Sequence, residues 1–120
     1  MNDKITTLDE LKHKVIAYMQ ARDWAQFHSP KNLSMSISIE AAELMEKFVW
    51  LTTQESKEFV TTNRQEVQEE IADIAIGVIN FCTLYGIDIT AAIANKMEIN
   101  AKKYPVEKCK GKRDKYTKYV

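Results

Sequence analysis

Residues 40–50 read EAAELMEKFVW and residues 66–84 read EVQEEIADIAIGVINFCTL, and these two stretches decide the fold. Three residues on an α-helix turn the chain by about 300°, so Glu40 and Glu43 leave one helix face, and Glu70 and Asp73 leave one face of a second helix. Between Lys31 and Glu46 the only charged side chains are Glu40 and Glu43, and between Glu70 and Asp88 the only one is Asp73. Glu66, Glu70, Asp73, Gly77 and Asn80 fall on one narrow stripe with apolar residues on both flanks. That pattern predicts a helix whose polar stripe faces an interior, buried against bundle neighbours and a second subunit.

Outward from these stretches, further helix signals accumulate. Thr7 and Glu10 have the capping-box spacing, and Leu8, Leu11, Val15, Ile16 and Met19 form one apolar face, which predicts a first helix over about 8–22. Ser29 and Pro30 supply an N-cap and a first-turn proline for a second helix over about 30–51. Thr52–Thr62 is polar, with room for one helical turn around Ser56–Val60. Asn63 and Glu66 repeat the capping spacing before a third helix over about 64–85, closed by Gly86. Asp88 or Thr90 caps a fourth helix over about 90–103, and irregular chain is expected from Pro105 onward. The reading is all-α: a single domain over 1–120 built as a four-helix bundle, with a helical core at about 8–103 and an extended tail at 104–120.

Composition agrees with this reading. With 120 residues, 45% of them hydrophobic and 28% charged, the chain suits one soluble globular domain rather than two. Three Gly and two Pro are too few for the turns of a sandwich or barrel. No basic start leads into an apolar run and no uncharged span reaches about 20 residues, so the expected location is cytoplasmic, without a membrane partner. Cys82 and Cys109 lack metal or disulfide spacing, and Cys82 reads as a small buried thiol. The net charge of zero conceals a split: residues 1–101 hold 9 basic and 15 acidic side chains, whereas residues 102–120 hold 8 and 2.

Carboxylates removed from water need a partner, and on the uncharged segments no Lys or Arg is read within a turn of either pair. Four carboxylate arms without His or Cys select a hard cation, Mg²⁺ with Mn²⁺ as a substitute, rather than zinc. A di-iron bundle would require Glu-x-x-His on two helices, and neither helix has that His. The plain alternative, solvated faces of amphipathic helices, suits Glu46, Glu55, Glu58 and Glu69.

The acidic motifs, together with residues 22–33 (RDWAQFHSPKNL), residues 96–106 (KMEINAKKYPV) and the closing Lys115-Tyr116, carry a resemblance. The chain resembles the MazG-like all-α nucleoside triphosphate pyrophosphohydrolases, and within them the dCTP pyrophosphatase subgroup. The resemblance covers roughly residues 8–118. It implies Mg²⁺ bound by Glu40, Glu43, Glu70 and Asp73, and cleavage of a dNTP, with dCTP or a modified dCTP favoured, into dNMP and pyrophosphate, a reaction that cleans the nucleotide pool. It further implies a base pocket lined by Trp24, His28 and Trp50, contacts from Lys96, Asn100 and Tyr104 to triphosphate or sugar, and assembly as a homodimer or homotetramer. Animal members carry a His where Val15 stands and a Tyr where Gly77 stands, which leaves base choice open.

Catalysis is expected to engage Glu40 or Glu43 as the residue that orients the attacking water. The basic tail, with Tyr104, Tyr116 and Tyr119, admits a competing class, a non-catalytic nucleic-acid-binding or scaffold module. The acidic body disfavours a nucleic-acid partner, because it repels a polyanion lacking bridging metal. The tail is expected instead to reach the acidic body of a neighbouring subunit.

Overall fold

A computed structural model describes residues 1–119, which contain six α-helices and no strand. The chain separates into two compact units, residues 1–86 and residues 87–120. In the first unit lie α1 (Leu8–Ala21), α2 (Pro30–Glu46), α3 (Thr53–Thr62) and α4 (Arg64–Leu84). The second contains α5 (Ile89–Lys103), α6 (Val106–Cys109) and a 3₁₀ turn, Tyr116–Tyr119. Among the described residues, no single helix is long and apolar enough to cross a membrane.

The first unit is organised around α4, which packs chiefly against α2 and also against α1 and α3. Its core consists of Met19 from α1, Leu33 from α2, and Val67, Ile79 and Cys82 from α4, all buried. The expected burial of Cys82 is therefore met. Phe48 and Phe59 meet edge to face with ring centroids 5.5 Å apart, joining the turn after α2 to α3.

Local chemistry sets most of the helix ends. The Thr7 and Glu10 box is closed from both sides: the Glu10 amide donates to Thr7 Oγ1 and the Thr7 amide donates to Glu10 Oε2. Ser29 caps α2 by accepting from the Asn32 amide, and Asp88 caps α5 by accepting from the Ala91 amide. Gly86 has φ 67°, a left-handed conformation that glycine adopts without strain, immediately beyond the last turn of α4.

Four boundaries differ from the sequence reading. The second helix stops at Glu46 instead of continuing to 51, because residues 47–51 tighten into i→i+3 turns and Thr52 turns extended to cap a new helix. That new helix, α3, replaces the single turn expected at 56–60; the Thr52 and Glu55 pair is a full capping box. Asn63 makes no side-chain cap, since its backbone at φ −116°, ψ 42° is not the extended conformation that aims a side chain at the first-turn amides. The tail is not wholly irregular: Pro105 starts α6, and Tyr104 sets its ring 6.0 Å from Tyr116 and 6.2 Å from Tyr119.

Candidate active site

α2 and α4 bring their carboxylates together. Ligand oxygens of Glu40, Glu43 and Glu70 lie within 4.8 Å of one another. Glu40 and Glu70 are half-buried, and Glu43 is exposed. Asp73, one turn beyond Glu70 and exposed, lies outside this triad yet near enough to act on Glu40 electrostatically. Burial pushes the Glu40 carboxyl above its ordinary range, and the hydrogen bond and charge of Glu43, then the charges of Asp73 and Glu70, push the same way.

A cation near this cluster escaped the sequence reading. Lys47, at the C-terminal end of α2, sets Nζ 3.7 Å from Glu70 Oε1 and 3.6 Å from Glu66 Oε2. Its position four residues after Glu43, one helical turn on, was the signal available in the sequence. One ammonium does not neutralise the group: Glu40 Oε2 and Glu70 Oε2 are buried and have no hydrogen-bond partner. Orphaned carboxylate oxygens converging from two helices are a donor set suited to a divalent hard ion.

Beside the carboxylates the first unit holds a cavity of about 840 Å³. Glu40 and Asp73 line it, as do Trp24, Phe27, His28, Gly77 and Asn80, with an otherwise mainly apolar wall that includes Val15, Met19 and Leu33. A volume of this size accommodates a nucleotide-sized ligand. The segment between α1 and α2 shapes one side. Asp23, at φ 53°, takes the left-handed bend that an Asp tolerates, and Gln26 Nε2 donates to its carbonyl and to its carboxylate. Trp24 then meets Tyr18 edge to face at 5.9 Å, while Arg22 lies 3.6 Å over the Tyr18 ring. Tyr85 Oη anchors the far end of this segment by donating to the His28 carbonyl at 2.8 Å.

The structure thus gathers Trp24 and His28 on one cavity with Glu40 and Asp73. Trp50 is not on that wall; it stands 92% exposed in the turn after α2. Lys96, Asn100 and Tyr104 belong to the second unit, where Lys96 and Asn100 are exposed on α5 and the Tyr104 amide donates to the Asn100 carbonyl.

With this geometry in view, comparison with known proteins gives the class: the model of the MazG-like family matches residues 35–118, and the chain belongs to that family. Among particular relatives, it is 32% identical over 113 residues to dCTP pyrophosphatase 1 of Rattus norvegicus and of Homo sapiens, and 33% identical to that of Bos taurus. These alignments take in 92% of the chain, which spans 66% of the length of the rat and human relatives and 67% of the bovine one. A solved pyrophosphatase from Archaeoglobus fulgidus superposes with a TM-score of 0.80 at 38% identity, over 88% of this chain and 98% of the other.

Proposed function

We propose that the chain is a Mg²⁺-dependent nucleoside triphosphate pyrophosphohydrolase that converts a dNTP, by preference dCTP or a modified dCTP, into dNMP and pyrophosphate. The observation that carries this reading is the pair of unpartnered buried oxygens, Glu40 Oε2 and Glu70 Oε2, beside a nucleotide-sized cavity. Relatives named for the same chemistry support it.

Glu40, Glu43, Glu70 and Asp73 would hold the ion. When bound, a divalent cation supplies Lewis acidity toward the phosphate chain and acidifies the attacking water. Water opens the α–β phosphoanhydride, and its oxygen joins the α-phosphorus as pyrophosphate leaves. Glu40 or Glu43 orients that water and takes its proton on a carboxylate oxygen that the ion would leave free. Lys47 pairs with Glu70 Oε1 and leaves Oε2 without a partner, so Glu70 would still have an oxygen to offer an ion. Trp24 and His28 hold the base within the cavity, where an indole face stacks well on a pyrimidine.

Lys96 and Asn100, one turn apart on α5, and Tyr104 at its end contact the triphosphate or sugar, and Trp50 reaches the base pocket of an assembled particle. Self-association as a dimer or tetramer accounts for large apolar side chains left in the open on the first unit, including Met35, Ile39, Trp50 and Ile71. The whole chain, 1–120, acts as one catalytic domain in the cytoplasm and keeps the nucleotide pool clean.

A panel of dNTPs assayed for pyrophosphate release with and without Mg²⁺ tests the proposal. Metal-dependent release is expected, fastest from dCTP or a modified dCTP. No release from any nucleotide, combined with salt-sensitive retention on single-stranded nucleic acid, would turn the assignment toward a binding module.

A further inference from the structure

Asn80 is a buried polar residue to which the chemistry above gives no task. It is 7% exposed, its Oδ1 has no hydrogen-bond partner, and it lines the cavity that also receives Trp24, His28 and Glu40. A buried amide oxygen without a partner destabilises the fold that contains it, so such a group points to something that binds there. Thr83 Oγ1, one turn further along α4, is also unpartnered, but Thr83 does not line the cavity.

The position of Asn80 along α4 narrows the choice of ligand. Asp73, Gly77 and Asn80 follow one another on the stripe that borders the cavity. Seven residues separate Asp73 from Asn80, about 10 Å along the helix axis. That distance is comparable with the reach of a nucleotide from its α-phosphate to the far edge of its base. Gly77, between Asp73 and Asn80, also lines the cavity and has no side chain of its own to project into it; a Cβ there would lie 2.9 Å from Ile37 Cγ1, so the Ile37 side chain packs against the α4 backbone at this point.

We propose that Asn80 reads the Watson–Crick edge of the substrate base, with Oδ1 accepting from the exocyclic amine of a 4-aminopyrimidine and Nδ2 donating to ring N3. The assignment rests on the nucleotide reading above and adds to it a residue that selects the base. An amide has the donor and acceptor pair this edge requires, and amides and carboxylates read base edges by the same complementarity elsewhere. Thymine and uracil present the reverse pattern, a carbonyl oxygen and an N3–H, and would place an acceptor against Oδ1 while the packing around the buried side chain keeps the amide in this orientation.

The test compares hydrolysis of dCTP and dTTP with Mg²⁺ by the full chain, Asn80→Leu and Asn80→Asp, together with thermal unfolding of each protein free of metal and nucleotide. Asn80→Leu is expected to lower kcat/KM for dCTP about ten- to a hundredfold, mainly through KM, and to reduce the preference for dCTP over dTTP by a similar factor. Its Tm should hold or rise, because an unsatisfied acceptor has been removed. Asn80→Asp keeps acceptors only: it loses the donor to cytosine N3 and gains an acceptor for the N3–H of thymine, so it should lose rate on dCTP and lower the dCTP preference; this variant decides the matter if the leucine variant does not fold. An unchanged preference in the variants overturns the assignment, as does a lowered Tm with unchanged preference, the mark of a structural amide. A wild-type chain that hydrolyses no nucleoside triphosphate overturns the nucleotide reading itself, and the role of Asn80 falls with it.

Discussion

α4 and α5 have much in common as sequence, since both mix aliphatic residues with a few spaced polar ones. Their fates differ. α4 buries Val67, Ile79, Asn80 and Cys82 against three other helices, whereas no residue of α5 is buried, and Ile93, Met97 and Ile99 stand 52%, 65% and 48% exposed. Charge divides the same way: residues 1–86 hold eight basic and thirteen acidic side chains, and residues 87–120 hold nine and four. On the proposed reading the acidic unit supplies the carboxylates for the metal and the cavity for the base, and the basic unit supplies donors for phosphate. The comparison teaches that packing, not composition, separates the two helices, and the chemistry proposed above falls to the buried one and its completion to the exposed one.

The hardest blow to this division of labour falls on α2 and α4. Glu43→Ala or Asp73→Ala should reduce turnover at least about a thousandfold, because a lost ligand forfeits several kcal/mol of charge stabilisation. Circular dichroism should show both variants folded. Near-normal rates would break the comparison outright, since α4 would then lack its assigned chemistry. Lys96→Ala tests the other side, with KM expected to rise about tenfold and the loss to be greater at low salt, as a charge-assisted contact requires. Steady-state kinetics at two ionic strengths decides this; an unaffected KM would confine the site to the first unit.

How much of this was written plainly in the sequence depends on distance along the chain. Effects within one helical turn were legible: the Thr7 and Glu10 box, the Ser29 cap and the closing Gly86 are where spacing places them. The Thr52 and Glu55 box has the same spacing, yet α3 was underread because its polar surface shows little apolar periodicity around Phe59. The acidic pairs were legible as pairs. Their convergence is a property of how α2 crosses α4, and so is the approach of Lys47 to Glu70; the i,i+4 spacing from Glu43 places Lys47 beside the first acidic pair but not beside the second. Asn80 was visible on the stripe, but its orphaned oxygen exists only once the neighbours have closed around it.

A smaller effect sharpens the account of the acidic cluster in the metal-free protein. Glu40 holds its proton more tightly when folded than when unfolded, so the folded state binds more protons as pH rises above the ordinary carboxylate value. Stability therefore falls across the interval from that value to the raised pKa. Glu40→Gln removes the titration, so chemical denaturation in the presence of a chelator should show the wild type losing stability over this interval and the variant losing less. Equal pH profiles would mean that the cluster is already neutralised without a metal.

The smallest expected effect returns to the two helices at their first turns. Asp88 accepts from the Ala91 amide at the start of α5, whereas Asn63 makes no side-chain cap for α4. Removing a true cap costs about 1 kcal/mol, and removing a residue that only occupies the position costs much less. α4 is held by its packing, so Asn63→Ala should leave its hydrogen exchange unchanged. α5 has no buried side chain to hold it, so Asp88→Ala should accelerate exchange through its first turns about fivefold in the isolated chain. The same substitution in an assembled particle provides the sharper reading. If contacts with another copy cover Ile93, Met97 and Ile99, the cap ceases to limit opening and the acceleration should shrink; an acceleration that persists undiminished would mean that α5 remains uncovered after assembly.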